Sequence, residues 1–372
     1  MNFGFTDEQE FLRSEVRKLL DEKAPLEDVR RVSEAENGPG YDKDLWKQIA
    51  ELGWTGLVIP EAHGGAGLGW VDLVVVLEET GRSLFPAPFV ATSLAADAIT
   101  RAGSEAQRAR FLPALADGSV IGSVALVEDD DAPGPSGSQL AARPSGDGVI
   151  LSGEKLFVQN AAAADLFVVA FRRKGELALA VIEKSQDGVS AEDWPGIDLT
   201  KRLGRLRLEN VEVAAEAILE GGDSAAVGML FDAGATAIAA EAIGAAEAAL
   251  ALTTGYAKER IQFGRPIGTF QGVKHPLAEM YVDVESFKSL TYYAAWCIDE
   301  GHADRSLAAS RAKAYASETL PRIGIDTVQL HGGIGYTWEY DAHLFLKRAK
   351  WVRPIFGDAD HHYERVAALG GL

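Results

Sequence analysis

Arginine, phenylalanine and glutamine side chains gather around the end of one long predicted helix. This helix is predicted to end at about Arg260, Phe263 follows it, and Gln271 comes just before the next helix, which is predicted to begin at about Gly272. A cation at the end of a helix complements the helix dipole, and this structural role alone is enough to explain Arg260. A guanidinium also binds phosphate through paired hydrogen bonds, and Phe263 with Gln271 can hold an aromatic ring. The segment therefore fits either a helix end or a site for a phosphate-bearing aromatic ligand.

Two adjacent glycines follow a second predicted helix. Gln329 lies in the last turn of that helix, and Gly332 and Gly333 come just after it. Glycines in this position commonly cap a helix. They also let the main chain approach a ligand closely, with N–H groups available to bind an anion. His331, taken alone, is typical of a structural histidine.

A third glycine-rich segment, residues 64–69, is interpreted as a turn. Its glycines lack the G-x-G-x-x-G spacing of a dinucleotide-binding loop. Pro60 also lies where a strand would have to lead into a helix. The segment therefore gives no support to a Rossmann-type site.

The elements that must position these residues fall into three segments. Residues 1–120 show apolar side chains at helical spacing and begin with a capping box of Thr6 and Gln9. Residues 121–222 contain short runs rich in Val, Leu, Ile and Phe, separated by Gly, Asp and Pro. Residues 223–372 return to long helices, four of them with short connections. The sequence therefore predicts an α+β multidomain fold: an N-terminal helical domain, a middle β domain and a C-terminal four-helix bundle.

Composition and charge argue against several classes of function. The chain has 372 residues, with 36 Lys and Arg against 55 Asp and Glu, and a formal net charge of −19. Nucleic acid and anionic membrane surfaces would be repelled by this charge. Cys297 is the only cysteine, which favours a reducing cytoplasm. The acidic N-terminal segment is unlike a signal peptide, and no uninterrupted run of about 18 apolar residues predicts a membrane span.

Taken together and in this order, the motifs resemble those of the acyl-CoA dehydrogenase family of flavoproteins. The resemblance extends over essentially the whole chain, and it implies the fold of that family, with a β-barrel-like middle domain. It also implies a tetramer that binds FAD and removes two hydrogens from the α and β carbons of an acyl-CoA substrate. An electron-transfer flavoprotein or a similar acceptor is then expected to reoxidise the flavin. The segments that carry the resemblance are residues 5–9, 59–61, 153–160, 260–264, Gln271 and residues 329–335.

In this family each flavin lies across a dimer interface, so the expected FAD contacts fall into two sets. The first set contacts the flavin ring, and its positions correspond here to Phe157 and Gln159, which replace a Trp and a Thr. These side chains can still stack and hydrogen-bond. The family's Thr-Glu-Pro loop is Val-Glu-Asp at residues 127–129. The second set comes from the other subunit and is better retained: Arg260, Phe263, Gln271, Gln329, Gly332 and Gly333.

The catalytic base of the family is missing from both of its known positions. Removing a proton next to a thioester requires a carboxylate in a dry pocket. The usual base is a Glu followed by a Gly, and aligning Gly357 with that Gly puts Phe356 at the base position. The second known position aligns with Gly234, and the arginine that neighbours it aligns with Ala235. None of these residues accepts a proton.

Three replacements for the base remain open. Glu241 is the first choice, because it lies within about 20° of the same helix face as Gly234 and has apolar neighbours. Asp358 and Asp360 are the second choice, because they lie in the loop that normally carries the base. Two histidines follow these aspartates, but a helix start explains the cluster better than a metal site, and no metal is expected. The third alternative is a chain with no base of its own.

Two hypotheses follow. In the first, the chain is a complete FAD-dependent acyl-CoA dehydrogenase with a relocated base, and its reshaped pocket accepts a bulky or branched acyl group. In the second, the chain is a largely non-catalytic subunit of a heteromeric dehydrogenase and donates its FAD contacts to a partner of the same family. The apolar surroundings of Glu241 favour the first hypothesis.

Overall fold

The computed structural model describes residues 4–35, 38–130 and 132–372. This part of the chain contains eleven α-helices, seven strands in two sheets and a two-stranded hairpin. The residues group into two units. The first unit holds the chain up to Arg31, Trp70–Phe85 and Ala235–Leu372, and the second holds Val32–Gly69 and Pro86–Gly234.

Helices dominate the N-terminal third of the chain, as predicted. The capping box at the start of α1 is confirmed: the Thr6 hydroxyl accepts from Gln9 N, and the Gln9 amide oxygen accepts from Thr6 N. Ser104 and Gln107 form a second capping box at the start of α6. The helices are α1 (Asp7–Lys23), α2 (Leu26–Ser33), α3 (Lys43–Glu51), α4 (Trp70–Arg82), α5 (Phe89–Ala102) and α6 (Glu105–Ala116).

The middle segment forms two sheets. In the first, β1 lies parallel to β4 and β4 lies antiparallel to β5; in the second, the strand order is β2–β3–β7–β6 with antiparallel pairing. Isolated bridges from Val127 to Leu156 and from Ala141 to Arg172 join the two sheets. The strands are β1 (Gly122–Ala125), β2 (Arg143–Ser145), β3 (Gly148–Gln159), β4 (Leu166–Arg173), β5 (Glu176–Glu183), β6 (Val189–Trp194) and β7 (Leu203–Val213).

The C-terminal segment contains the four predicted helices and one more. The additional helix, α11, is short and begins at the Asp358 cap, within the cluster that the sequence offered as an alternative acid site. The predicted fold is confirmed, and the described residues add this short fifth helix to the four predicted ones. The elements are α7 (Ser224–Glu259), β8 (Ile261–Gln262), β9 (Arg265–Pro266), α8 (Gln271–Asp299), α9 (Arg305–His331), α10 (Ala342–Val352) and α11 (Ala359–Gly370).

Helix α7 has the length and composition of a membrane-spanning helix. However, 72% of its most apolar window is buried inside the fold. The core of a water-soluble protein produces the same pattern, because a helix that is apolar all round must be covered on every side. Alanines supply much of this covered surface.

Two glycines bring the main chains of α4 and α7 into contact. A Cβ atom added to Gly81 of α4 would lie 1.9 Å from the carbonyl oxygen of Glu241. A Cβ atom added to Gly244 of α7 would lie 1.8 Å from the carbonyl oxygen of Glu78. Both contacts require glycine, because a side chain would overlap main-chain atoms that cannot move aside. This crossing fixes the place of Glu241 in the fold.

Candidate functional site

The β8–β9 hairpin presents Phe263 to solvent. Phe263 and Gly264 are the two central residues of the hairpin turn, and both have positive φ angles, 51° and 79°. Hairpin turns of two residues require this geometry, but a bulky residue adopts it only at an energetic cost. The Phe263 side chain is 92% exposed and meets the edge of the Phe270 ring at 6.1 Å. A strained and exposed aromatic residue of this kind is typical of a binding site.

The two glycines after α9 lie in an open turn. Gly332 has φ 62°, and its N–H bonds to the carbonyl oxygen of Gln329. A Cβ atom on Gly332 or Gly333 would meet nothing within 4 Å. Packing inside the chain therefore does not require glycine at Gly333. Glycine at this point keeps the main chain accessible, as close approach of a ligand demands.

Helix ends bring these two motifs to the same side of the first unit, which consists mainly of helices and is called the helical unit below. Tyr256 lies in the last turn of α7 and His331 is the last residue of α9, and their rings are 4.5 Å apart. Arg260 follows α7 at once, and Gln271 is the first residue of α8. Each residue of the predicted second FAD set is exposed: Arg260, Phe263, Gln271, Gln329, Gly332 and Gly333.

The chemistry of this set fits a dinucleotide cofactor. A guanidinium binds phosphate, an exposed ring stacks on an aromatic heterocycle, and a carboxamide both donates and accepts hydrogen bonds. Open glycines add main-chain N–H groups that suit anionic oxygens. FAD contains each of the groups that these residues complement: two phosphates, two heterocycles and polar ring edges.

The other predicted set lies at the end of β3, where the pairing with β7 is irregular. A register shift falls between Lys155 and Val158, and Phe157 within it has φ 55°. The Phe157 side chain is 39% exposed and meets the Trp194 ring edge-on at 6.3 Å. Gln159 is buried, and its carbonyl oxygen accepts a hydrogen bond from the Ser123 hydroxyl. Phe157 thus keeps one ring surface available for stacking.

Glu128, in the segment that replaces the Thr-Glu-Pro loop, is held by a buried lysine. The Lys155 ammonium donates to Glu128 Oε1 at 2.7 Å and to the carbonyl oxygen of Leu126 at 3.1 Å. Glu128 Oε1 also accepts from the N–H groups of Gln139 and Leu140. Burial lowers the pKa of Lys155, while the hydrogen bond to Glu128 opposes this effect. The glutamate therefore fixes the loop, a role that the sequence comparison did not suggest.

Glu241 lies inside the helical unit, as its apolar neighbours predicted. Its side chain is only 2% exposed. One carboxylate oxygen is 3.5 Å from the hydroxyl of Thr80 on α4. Glu247, two turns further along α7, instead pairs with Lys288 near the surface. Glu241 and Glu247 thus have different environments, since Glu241 is buried and Glu247 is partly exposed.

The two aspartates proposed as alternatives have other surroundings. Asp358 is the N-cap of α11, and its Oδ1 accepts from the N–H of His361 at 3.0 Å. Asp360 is exposed in the first turn of the same helix. In the described part of the chain, no group of three or more His, Cys, Asp or Glu is placed to hold a metal ion. Both aspartates therefore suit the start of a helix.

Two buried side chains hold the loop that carries Phe356. The Lys313 ammonium donates to the carbonyl oxygens of Arg353 at 3.0 Å and Gly357 at 2.8 Å. The His362 Nε2–H donates to the carbonyl oxygen of Phe356 at 2.9 Å. Burial lowers the pKa of His362 to about 2, so the ring is neutral at physiological pH. No local pattern in the sequence indicates that Lys313 and His362 hold this loop.

Comparisons with known proteins place the chain in a family. Protein-family models for the N-terminal, middle and C-terminal domains of acyl-CoA dehydrogenase match residues 6–119, 126–211 and 221–369. The chain is 35% identical over 364 residues to acyl-CoA dehydrogenase IpdE2 of Mycolicibacterium smegmatis, which covers 98% of this chain and 99% of that protein.

Two solved structures share the fold over nearly the whole chain. A variant of the Tcur3481-Tcur3483 steroid ACAD has a TM-score of 0.88 and 35% identity, with 98% of each chain covered. A chain of the ChsE4-ChsE5 complex from Mycobacterium tuberculosis has a TM-score of 0.91 and 27% identity, with 100% of this chain and 99% of that chain covered.

The arrangement of helices, β-sheets and helices, with an exposed Arg-Phe-Gln-Gly set, is that of a flavin-dependent dehydrogenase. The chain belongs to the acyl-CoA dehydrogenase family. It is an oxidoreductase that acts on acyl-CoA thioesters, and its cofactor is FAD. The family, the fold and the cofactor predicted from the sequence are thereby confirmed.

Proposed function

We propose that this chain uses FAD in the α,β-dehydrogenation of an acyl-CoA thioester and holds the cofactor through its exposed set. The proposal rests above all on Phe263, which is 92% exposed in a conformation unfavourable for a bulky residue. Arg260 would bind a phosphate, and Gln271 and Gln329 would bind polar edges of the cofactor. Phe157 and Gln159 would contact the flavin ring. When bound, FAD accepts the hydride that leaves the β carbon of the acyl group.

Glu241 is the proposed acceptor of the α proton. It is buried beside Thr80, whereas Asp358 caps a helix and Asp360 is exposed to solvent. A general base must lie close to the proton that it removes, in a site from which water is excluded. The thioester enolate would then form within the apolar surroundings of α4 and α7.

Replacement of Glu241 by Gln tests this role. The Glu241→Gln variant should lose about 10²- to 10⁴-fold in kcat, the usual contribution of a general base, while the visible spectrum of its bound flavin is unchanged. Glu247→Gln is the matched control, because it makes the same change on the same helix at an acid that pairs with Lys288. Full activity in Glu241→Gln would exclude Glu241 as the base.

We further propose a bulky or branched acyl group as the substrate. Gly234 and Ala235 are small residues at the positions where the family resemblance implies a Glu and an Arg, and one similar structure is that of a steroid ACAD. A comparison of kcat/KM for butyryl-CoA and for a CoA thioester with a polycyclic acyl group tests the proposal. A preference for butyryl-CoA would contradict it.

A heteromeric assembly is the second candidate, and the position of Glu241 favours it. Glu241 lies seven residues past Gly234, which corresponds to about 10 Å along the helix axis. The main chain of Glu241 is also fixed against Gly81. A partner of the same family would then supply the base, as the ChsE4-ChsE5 complex gives a precedent for pairing of two different chains. Expression with and without a candidate partner, followed by measurement of the FAD-to-protein ratio, separates this assembly from a homo-tetramer.

The remaining elements of the proposed function follow from the family and from the charge of the chain. We propose an electron-transfer flavoprotein or a similar protein as the electron acceptor and the cytoplasm as the location. With a net charge of −19, the chain is not expected to bind nucleic acid or an anionic membrane surface. Reoxidation of the reduced enzyme by purified electron-transfer flavoprotein under anaerobic conditions would test the choice of acceptor.

A further inference from the structure

The segment that follows the Gly332–Gly333 turn is held by a tryptophan. The carbonyl oxygen of Trp338 accepts a hydrogen bond from Arg30 Nη2 at 2.6 Å and from the His343 ring at 3.1 Å. The His343 ring also stacks on the indole, with centroids 5.0 Å apart and planes inclined by 22°. Trp338 is therefore bound through both its main chain and its ring.

Two cations complete this cluster. The Lys347 ammonium lies 4.0 Å from the centre of the Trp338 ring, and the Arg30 guanidinium carbon lies 5.7 Å from it. Both distances are within the range of cation–π attraction. Arg30 Nη1 in addition pairs with Asp341 at 3.2 Å. The planar guanidinium thus fixes two points of the same segment, which a lysine at this position is unable to do.

The chain is also fixed on the other side of the Gly332–Gly333 turn, at the end of α9. His331 is buried, and its Nδ1 lies 2.7 Å from the carbonyl oxygen of Thr327. Its ring lies 4.5 Å from the ring of Tyr256 and 4.9 Å from that of Tyr340. Between these two anchored ends, the Gly332–Gly333 turn faces open space. His331 and the cluster around Trp338 therefore fix the chain on both sides of a turn whose two glycines face open space.

We propose that Arg30 is a positioning residue for FAD: by binding Trp338 and Asp341 it fixes the segment that presents Gly332 and Gly333 to the cofactor. This inference rests on the proposed function, in which the two glycines contact FAD. Arg30 belongs to α2, near the other end of the chain, and does not itself touch the cofactor. An ordered turn binds its ligand more tightly, because less conformational entropy is lost on binding.

The test compares FAD affinity in four forms of the purified oligomer. Arg30→Met removes the hydrogen bond, the ion pair and the cation–π contact. Arg31→Met is the matched control, because this neighbouring arginine pairs locally with Asp28 and is exposed. Arg30→Lys keeps the positive charge but loses the planar guanidinium that contacts Trp338 and Asp341 at once. The dissociation constant of FAD is measured by flavin fluorescence after removal of the cofactor, and the melting temperature of each FAD-free protein is recorded in parallel.

The expected result is a dissociation constant about tenfold higher in Arg30→Met, equivalent to about 1.4 kcal/mol. Arg30→Lys should give an intermediate value, and Arg31→Met should match the unmodified chain. An unchanged FAD affinity in Arg30→Met would overturn the inference and leave the proposed function intact. A lower melting temperature of FAD-free Arg30→Met together with an FAD dissociation constant equal to that of the unmodified chain would also overturn it. Failure of the unmodified oligomer to bind FAD would overturn the proposed function and the inference together.

If Arg30→Met does not fold, Asp341→Asn provides the same test with a smaller change. It removes the negative charge that pairs with Arg30 Nη1 and leaves the hydrogen bond from Arg30 to the carbonyl oxygen of Trp338 in place. The FAD dissociation constant should then rise by a smaller factor, about threefold. Equal FAD affinity in Asp341→Asn and the unmodified chain would count against the inference.

Discussion

A buried acid on α4 makes the stability of the helical unit depend on pH. Glu78 is 1% exposed, and its Oε2 accepts hydrogen bonds from the Tyr292 hydroxyl and, at 3.4 Å, from Arg13. Burial raises the pKa of Glu78 from 4.5 to about 7; the positive charge of Arg13 opposes this rise, and the negative charge of Glu247 adds to it. The folded chain therefore binds a proton at Glu78 more tightly than the unfolded chain does.

The size of the effect follows from the difference in pKa. A rise from 4.5 to about 7 corresponds to about 3 kcal/mol of stability, which is fully present below the unfolded pKa of 4.5 and is lost as the pH rises through 7. The Glu78→Gln variant carries no titrating group at this position, so this loss disappears. At about pH 8 the variant should be at least as stable as the unmodified chain. The gain in stability is at most about 3 kcal/mol, and the lost attraction between Arg13 and Glu78 reduces it.

Urea unfolding at fixed protein concentration, followed by tryptophan fluorescence between about pH 5 and pH 8, measures this difference. The control is Glu10→Gln, which removes an exposed acid that also pairs with Arg13. We expect the stability of the unmodified chain and of Glu10→Gln to fall across this range relative to Glu78→Gln. If the pH profile of Glu78→Gln runs parallel to that of the unmodified chain, the assignment of a proton to Glu78 is refuted.

Two further predictions concern the hairpin and the loop before α11. Phe263→Ala should raise the FAD dissociation constant about 3- to 10-fold, because an aromatic contact is lost. The substitution should change the melting temperature little, because Phe263 is exposed. An FAD affinity equal to that of the unmodified chain would contradict the role of Phe263. Lys313→Met should lower the free energy of unfolding by about 1–3 kcal/mol, because carbonyl oxygens of Arg353 and Gly357 lose a donor. Burial lowers the pKa of Lys313 to about 7. The stability of the unmodified chain should therefore rise with pH above 7 relative to that of Lys313→Met; identical slopes of stability against pH in denaturant titrations would rule this out.

Local signals in the sequence were sufficient to predict the main helices. The Thr6–Gln9 capping box marks the start of α1, and both of its hydrogen bonds are present. Long helices with apolar faces were recognisable because their spacing extends over many turns. For the short α11, the sequence indicated a helix start at its aspartates and histidines but not the extent of the helix.

Strands were predicted only where they are apolar. Strands β4 and β5 contain nearly continuous apolar runs, which the sequence shows directly. Strands β2 and β6 lie at the edges of their sheet and carry polar residues such as Glu192 and Asp193. Strands β2 and β6 leave much of their surface to solvent, so they lack the apolar pattern by which a strand is recognised.

The candidate site could be predicted only in part, because much of its support comes from distant residues. Motifs indicated the exposed set, since Arg260 and the Gly332–Gly333 pair stand at helix ends. No local pattern links Arg30 to Trp338, which come from opposite ends of the chain. The sequence did not predict that Lys155 and Lys313 are buried. For Lys155 a signal exists, because it occupies an inward-facing position in the strand β3.

The most direct test of the account is the visible spectrum and the FAD-to-protein ratio of this chain expressed and purified alone. We predict a yellow oligomer with flavin absorption bands and equimolar FAD, whose bands bleach when a suitable acyl-CoA is added without oxygen. A colourless protein that takes up no FAD when the cofactor is supplied would contradict the account. A protein that becomes yellow only with a partner chain would instead assign this chain to the heteromeric assembly.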